Sequence, residues 1–240
     1  MVRAVRTVIW YLYFFGYLVC SIPSLIRVRN KQFNSLEEKA KVVHKFPEQW
    51  AKALIRITGS KIIVEGKHHL PPGPALFVAN HQGNFDIPVL LGYVGKPMGF
   101  ISKIEVKKLP ILPTWMEEMN CVFIDRKDRR QAVGAIKQAS TILRNGQSLV
   151  IFPEGTRSKS REINTFKTGV LRLASDSNVP IVPIAINGTY KIMEQSGVFF
   201  NPSTVKVTIL PSLTVEGKVD QKEIAEKLRT IIQEELDRQN

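Results

Sequence analysis

Two short apolar runs, each followed at once by a polar loop, constrain this chain more than any other feature. Ala75-Leu76-Phe77-Val78-Ala79, entered through Pro74, gives way to Asn80-His81-Gln82-Gly83-Asn84-Phe85-Asp86. Ser148-Leu149-Val150-Ile151 gives way to Phe152-Pro153-Glu154-Gly155-Thr156-Arg157-Ser158. Both runs are short and apolar throughout, so they read as buried strands. Between them, Asp128 opens and Gly146 closes a helix with Ala132, Val133, Ala135, Ile136, Ala139, Ile142 and Leu143 on one face. That helix joins a strand at Cys121-Val122-Phe123-Ile124 to the second run. The resulting βαβ unit predicts parallel neighbours. Both polar loops then leave the C-terminal edge of one sheet, where open α/β sheets hold their ligands.

The remaining elements follow the same alternation. Strands are predicted at residues 61–65, 98–101, 180–186 and 204–210. Asp86 reads as the N-cap of a short helix with Pro88 in its first turn. Residues 106–119 read as a Pro-broken linker or short helices, and residues 166–174 as a further helix. A final helix from Asp220 turns Ile224, Leu228, Ile231, Ile232 and Leu236 inward. His68 and His69 have no Cys or His partner at a metal-ligand spacing and read as surface residues. The fold class is α/β, a mixed and mostly parallel sheet flanked by helices. An N-terminal membrane-docking helix pair precedes it, with residues 1–59 forming that region and 60–240 the catalytic domain.

Charge points to the partner. Of the net charge of +13, residues 1–60 supply ten basic against three acidic side chains, or +7. Such a balance suits nucleic acid or an anionic membrane surface. Residues 7–26 decide between them, because they carry no charge, contain Trp10, Tyr11, Tyr13 and Tyr17, and are bracketed by Arg3, Arg6, Arg27, Arg29 and Lys31. This length is at the threshold of a bilayer span, and no small-residue cleavage site follows. The pattern predicts an uncleaved anchor at the cytoplasmic face, either spanning or entering one leaflet. Residues 34–58 form a second helix, capped by Ser35 and Glu38, closed by Gly59, and kinked or broken at Pro47. It packs on the folded domain or contacts membrane. With basic residues bracketing an apolar segment rather than interleaving with stacking aromatics, nucleic acid is not the expected partner. Two cysteines, Cys20 and Cys121, give no disulfide framework.

The first loop carries chemistry. A His on a strand end and an Asp at the next helix start meet across the turn; the carboxylate then fixes the imidazole tautomer and leaves the other nitrogen as a base. Asn80-His81-x-x-x-x-Asp86 and Phe152-Pro153-Glu154-Gly155-Thr156-Arg157-Ser158 resemble, in order, the paired signatures of the glycerolipid acyltransferases. Phe123-Ile124-Asp125-Arg126 and the Val182-Pro183-Ile184 block are similar to further family motifs, although Asn120 stands where the family usually has Gly.

The resemblance implies transfer of a fatty acyl group from a thioester, on acyl carrier protein or coenzyme A, to lysophosphatidate, giving phosphatidate without a metal or cofactor. Glycerol-3-phosphate or a lysophospholipid is the alternative acceptor. A thioesterase using the same dyad on water has no need for the Glu154-to-Arg157 loop. His81 is the expected base and Asp86 its orienter. Asn80 and the backbone amides of Gly83 or Gly155 are candidates for the oxyanion. Arg157 offers a planar fork for phosphate, with Thr156, Ser158, Lys103 and Lys167 as helpers. Arg126 binds phosphate or pairs with Asp125. Glu154 orients Arg157 or a glycerol hydroxyl, or caps the following turn.

Overall fold

The computed structural model describes residues 2–214 and 220–239. Seven strands are described: β1 (Lys61–Glu65), β2 (Leu76–Ala79), β3 (Met98–Lys103), β4 (Val122–Ile124), β5 (Ser148–Ile151), β6 (Ile181–Asn187) and β7 (Thr204–Ile209). They form one sheet in the order β1-β7-β6-β2-β5-β3-β4. The five strands from β6 to β4 run parallel. β7 is antiparallel to β6 and parallel to β1. This is the mixed, mostly parallel α/β sheet expected from the sequence.

Period-two side-chain alternation divides the core between the sheet's faces. Phe77, Ala79, Val150 and Val182 face one cluster, while Leu76, Val78, Leu149 and Ile151 face the other. The second cluster is covered by α6 (Arg129–Arg144), α7 (Arg172–Ser177) and α8 (Gln221–Arg238). The first is covered by α1 (Val2–Cys20), α2 (Ile22–Asn30), α3 (Leu36–Thr58), α4 (Asp86–Tyr93) and α5 (Leu112–Glu118).

The N-terminal helices therefore enter the main core. Trp10, Leu18 and Leu25 are buried in the cluster that holds Phe77 and Phe85. Trp10 Nε1 donates to the Leu54 carbonyl at 3.0 Å, and Trp115 Nε1 donates to Ser21 Oγ at 2.8 Å. The apolar segment bends at Ser21, with Pro23 in the first turn of α2. Its outer side stays bare: Val8 is 58% and Leu12 70% exposed.

Several local expectations change. α3 runs unbroken through Pro47, because Val43, Pro47, Trp50, Ala51, Leu54 and Ile55 are all buried along it and packing outweighs one missing hydrogen bond. The Ser35 cap forms, but Glu38 reaches back to the Asn34 N–H rather than to Ser35. Residues 166–174 divide into a 3₁₀ turn, Thr168–Val170, and α7. Asn120 takes the left-handed conformation, φ 55°, which Asn tolerates better than most side chains. Its Nδ2 donates to Gln147 Oε1 at 2.6 Å, so this Asn serves where glycine is usual.

Candidate active site

The parallel register brings the two loops together. β2 lies between β5 and β6, so the chain leaving β2 at Asn80 runs beside the chains leaving β5 at Phe152 and β6 at Gly188. Ser158 N–H donates to the His81 carbonyl at 2.8 Å and Lys159 N–H to the Gln82 carbonyl at 3.1 Å. Gln82, fully buried, accepts the Gly188 N–H on its Oε1 at 2.9 Å. Three loops thus share one hydrogen-bonded frame.

Within it, His81 Nδ1 lies 2.6 Å from Asp86 Oδ2. The same oxygen accepts the Gly83 N–H at 2.9 Å, and Asp86 Oδ1 accepts the Thr189 hydroxyl. Asp86 is the first residue of α4 rather than its N-cap, which is Phe85. Its carboxylate is fully buried, whereas the His81 side chain stays 16% exposed. Because both carboxylate oxygens are occupied by donors, the anion is held without water. It then takes an N–H from Nδ1, leaving Nε2 unprotonated. The imidazole stacks on Phe152, with centroids 4.1 Å apart and planes at 19°, which holds its second rotation.

A cavity of about 710 Å³ opens beside His81. Its inner wall is apolar, with Phe14, Trp50, Trp115, Met116 and Met119 among the contributors. Lys103, Arg126, Thr156, Arg157 and Lys159 also line it. Arg126 Nη1 donates to the Gly155 carbonyl rather than pairing with Asp125, whose Oδ1 accepts the Lys127 N–H at 2.9 Å. Partial burial lowers the pKa of the Arg126 guanidinium, and Glu105 opposes that shift. An apolar hole beside a base and several cations suits a substrate with a long tail and an anionic head.

Other expected site residues are engaged elsewhere. Asn80 bonds β6 with both ends of its amide, Nδ2 to the Ile186 carbonyl at 2.9 Å and Oδ1 from the Ile186 N–H at 2.8 Å. It is therefore a strand-to-strand brace, and it does not line the cavity. The Gly83 amide serves Asp86, and the Gly155 amide donates to the Phe152 carbonyl at 3.0 Å. Glu154, 3% exposed, accepts the His81 N–H at 2.6 Å and the Asn164 N–H at 2.8 Å, touching neither Arg157 nor the cavity. Burial raises its pKa, and those two amides oppose the shift. Lys167 crosses over Gly155 from outside the cavity wall. Among the described residues, no group of three His, Cys, Asp or Glu side chains is placed to hold a metal ion.

The sequence model of a known family, described as acyltransferase, matches residues 61–187. The chain belongs to the acyltransferase family. Relatives of this acyltransferase include a Mycoplasma pneumoniae protein named as a probable 1-acyl-sn-glycerol-3-phosphate acyltransferase. It is 36% identical over 189 residues, covering 74% of this chain and 68% of that one. The chloroplastic 1-acyl-sn-glycerol-3-phosphate acyltransferase of Arabidopsis thaliana is 40% identical over 152 residues, covering 62% and 42%. In structure the chain is similar to the 1-acyl-sn-glycerophosphate (LPA) acyltransferase PlsC of Thermotoga maritima. The TM-score is 0.83 at 28% identity, covering 98% of this chain and 97% of that one. The family resemblance carried by the two loop signatures is thereby borne out.

Three residues of this acyltransferase's site escaped the sequence reading. Gln82 sits inside the first signature at a position with no expected role. Thr189 and Glu194 lie past β6 in an irregular stretch, where no period or motif marks them. Glu194 Oε1 accepts the Asn84 N–H at 2.7 Å and pairs with Arg157 Nη1 at 3.1 Å.

Proposed function

We propose that this acyltransferase moves a fatty acyl group from an acyl carrier protein or coenzyme A thioester to the free hydroxyl of lysophosphatidate, forming phosphatidate at the cytoplasmic face of a membrane. One observation carries the reading: the His81–Asp86 dyad stands at an apolar cavity that Arg157, Arg126 and Lys103 also line. The relatives' names supply the acceptor class.

In this mechanism the acceptor hydroxyl gives its proton to His81 Nε2 as its oxygen attacks the thioester carbonyl. The imidazolium that forms is stabilised by Asp86. Collapse of the tetrahedral intermediate breaks the carbon–sulfur bond, and the departing thiolate takes the proton back from Nε2. The neighbouring cations favour the developing negative charge. Arg157 grips the acceptor phosphate through its planar fork. The apolar cavity takes an acyl chain, burying methylenes at about 0.8 kcal/mol each.

An acceptor of this kind resides in a bilayer, so the enzyme works at its surface. The bare outer side of α1 and α2, with Val198 and Phe199 beyond β6, supplies the apolar contact. Arg3, Arg6, Arg27, Arg29 and Lys31 add attraction to anionic headgroups. That Trp10 and Leu18 face the protein core supports a helix pair lying in one leaflet. The test offers one radiolabelled acyl thioester to lysophosphatidate, glycerol-3-phosphate and a zwitterionic lysophospholipid. Lysophosphatidate is used best by wild type, and Arg157→Lys raises its KM most; equal use of all three, or a response confined to the donor's KM, contradicts the reading.

A further inference from the structure

We infer that Glu194 is the positioning residue for Arg157, and that position 83 is glycine to let the Glu194 carboxylate pass. Glu194 belongs to neither sequence signature and lies in a 3₁₀ turn, Glu194–Ser196, between β6 and β7. Its side chain is only 4% exposed. Oε1 joins the loop after β2, through Asn84 N–H, to the loop after β5, through Arg157 Nη1. Oε2 is buried and has no hydrogen-bond partner among the described residues.

An anionic side chain beside a site for an anionic headgroup opposes binding unless it orders the cation that does the gripping. The geometry fits that use. Arg157 makes no other side-chain hydrogen bond among the described residues, and it lines the cavity. Glu194 therefore holds one corner of the guanidinium and leaves its remaining donors for the ligand. A free arginine loses rotamer entropy on binding, and fixing it in advance removes part of that cost.

Gly83 supports the same account independently. Its φ is not in the left-handed region, so the backbone does not require glycine there. A Cβ at this position, however, would lie 2.4 Å from Glu194 Oε2 and 2.7 Å from its Cδ. Gly83, at an unspecified position of the first signature, is thus matched to a carboxylate more than a hundred residues away.

The inference rests on Arg157 acting on the acceptor, and the test separates the two. Full-length Glu194→Gln, Glu194→Ala, Arg157→Ala, Gly83→Ala and the doubles Glu194→Ala/Arg157→Ala and Gly83→Ala/Glu194→Ala are assayed in detergent, with melting curves. Glu194→Gln should raise the acceptor KM about tenfold with little change in kcat, the scale of one charge-assisted hydrogen bond. The Glu194→Ala/Arg157→Ala double should be no worse than Arg157→Ala, and Glu194→Ala should restore activity to Gly83→Ala. Should Glu194→Ala fail to fold, Glu194→Asp, one carbon shorter, replaces it in both pairs. Additive losses in the first pair, or a Gly83→Ala defect that a shorter residue 194 leaves untouched, would overturn the inference. Non-additive losses that fall on donor KM would instead retain the Glu194–Arg157 coupling and refute the acceptor role of Arg157.

Discussion

The Glu154 carboxylate bridges two backbone amides, the His81 N–H at 2.6 Å and the Asn164 N–H at 2.8 Å. The glutamate of the second signature therefore holds the backbone of the first signature's histidine, and reaches it from inside the protein.

Glu154→Gln should damage both fold and rate. An amide has one accepting oxygen where the structure presents two donors, so its NH₂ must face an N–H and one buried amide loses its partner. Such a loss costs about 1–3 kcal/mol. A lowered Tm together with a lowered kcat and nearly unchanged acceptor KM is the expected result, read by calorimetry and steady-state kinetics.

His44 contributes to the pH dependence of stability. It is 7% exposed, neither ring nitrogen has a hydrogen-bond partner among the described residues, and burial lowers its pKa. The folded protein thus binds this proton less readily than the unfolded chain. The neutral-His contribution is fully present above the unfolded value, about 6.5, and is lost as pH falls from there through the lowered folded value. His44→Leu should flatten the fall of Tm between about pH 7.5 and about pH 5. An unchanged slope contradicts this assignment.

Membrane docking is best tested without truncation, because Trp10, Leu18 and Leu25 belong to the core. Replacing the exposed Val8, Leu12, Val198 and Phe199 by serine leaves those contacts in place. Each large apolar side chain is worth about 1.5–3 kcal/mol on full burial, so vesicle affinity should fall by about tenfold or more. Flotation with anionic vesicles measures it; unchanged flotation with an unchanged Tm places the docking surface elsewhere.

The meeting of His81 and Asp86 was legible because it depends on local features. Apolar runs of four or five residues announce buried strands, and a polar residue following one directly must lie at the sheet's edge. His81 and Asp86 are five positions apart and meet across a single turn. The bracing role of Asn80 is not legible, because a side chain's direction at a strand end depends on its neighbour, here the backbone of Ile186. Glu194 and Thr189 carry no local signal for a related reason: their partners lie on other loops, Asp86 and Asn84 more than a hundred residues away and Arg157 37 residues away. No break occurs at Pro47, because a local rule about one hydrogen bond carries no information on the burial of the helix around it.

The central claim is that His81 takes the acceptor's proton while Asp86 fixes its tautomer. The most direct measurement is single-turnover acyl transfer to lysophosphatidate by wild type, His81→Ala and Asp86→Asn, with melting curves alongside. General-base contributions are typically about two to four orders of magnitude. The account predicts a loss of that size for His81→Ala with an unchanged Tm. It predicts a large loss for Asp86→Asn as well, because an amide NH₂ facing Nδ1 favours the tautomer with the proton on Nε2. A folded His81→Ala enzyme turning over at near the wild-type rate would contradict it.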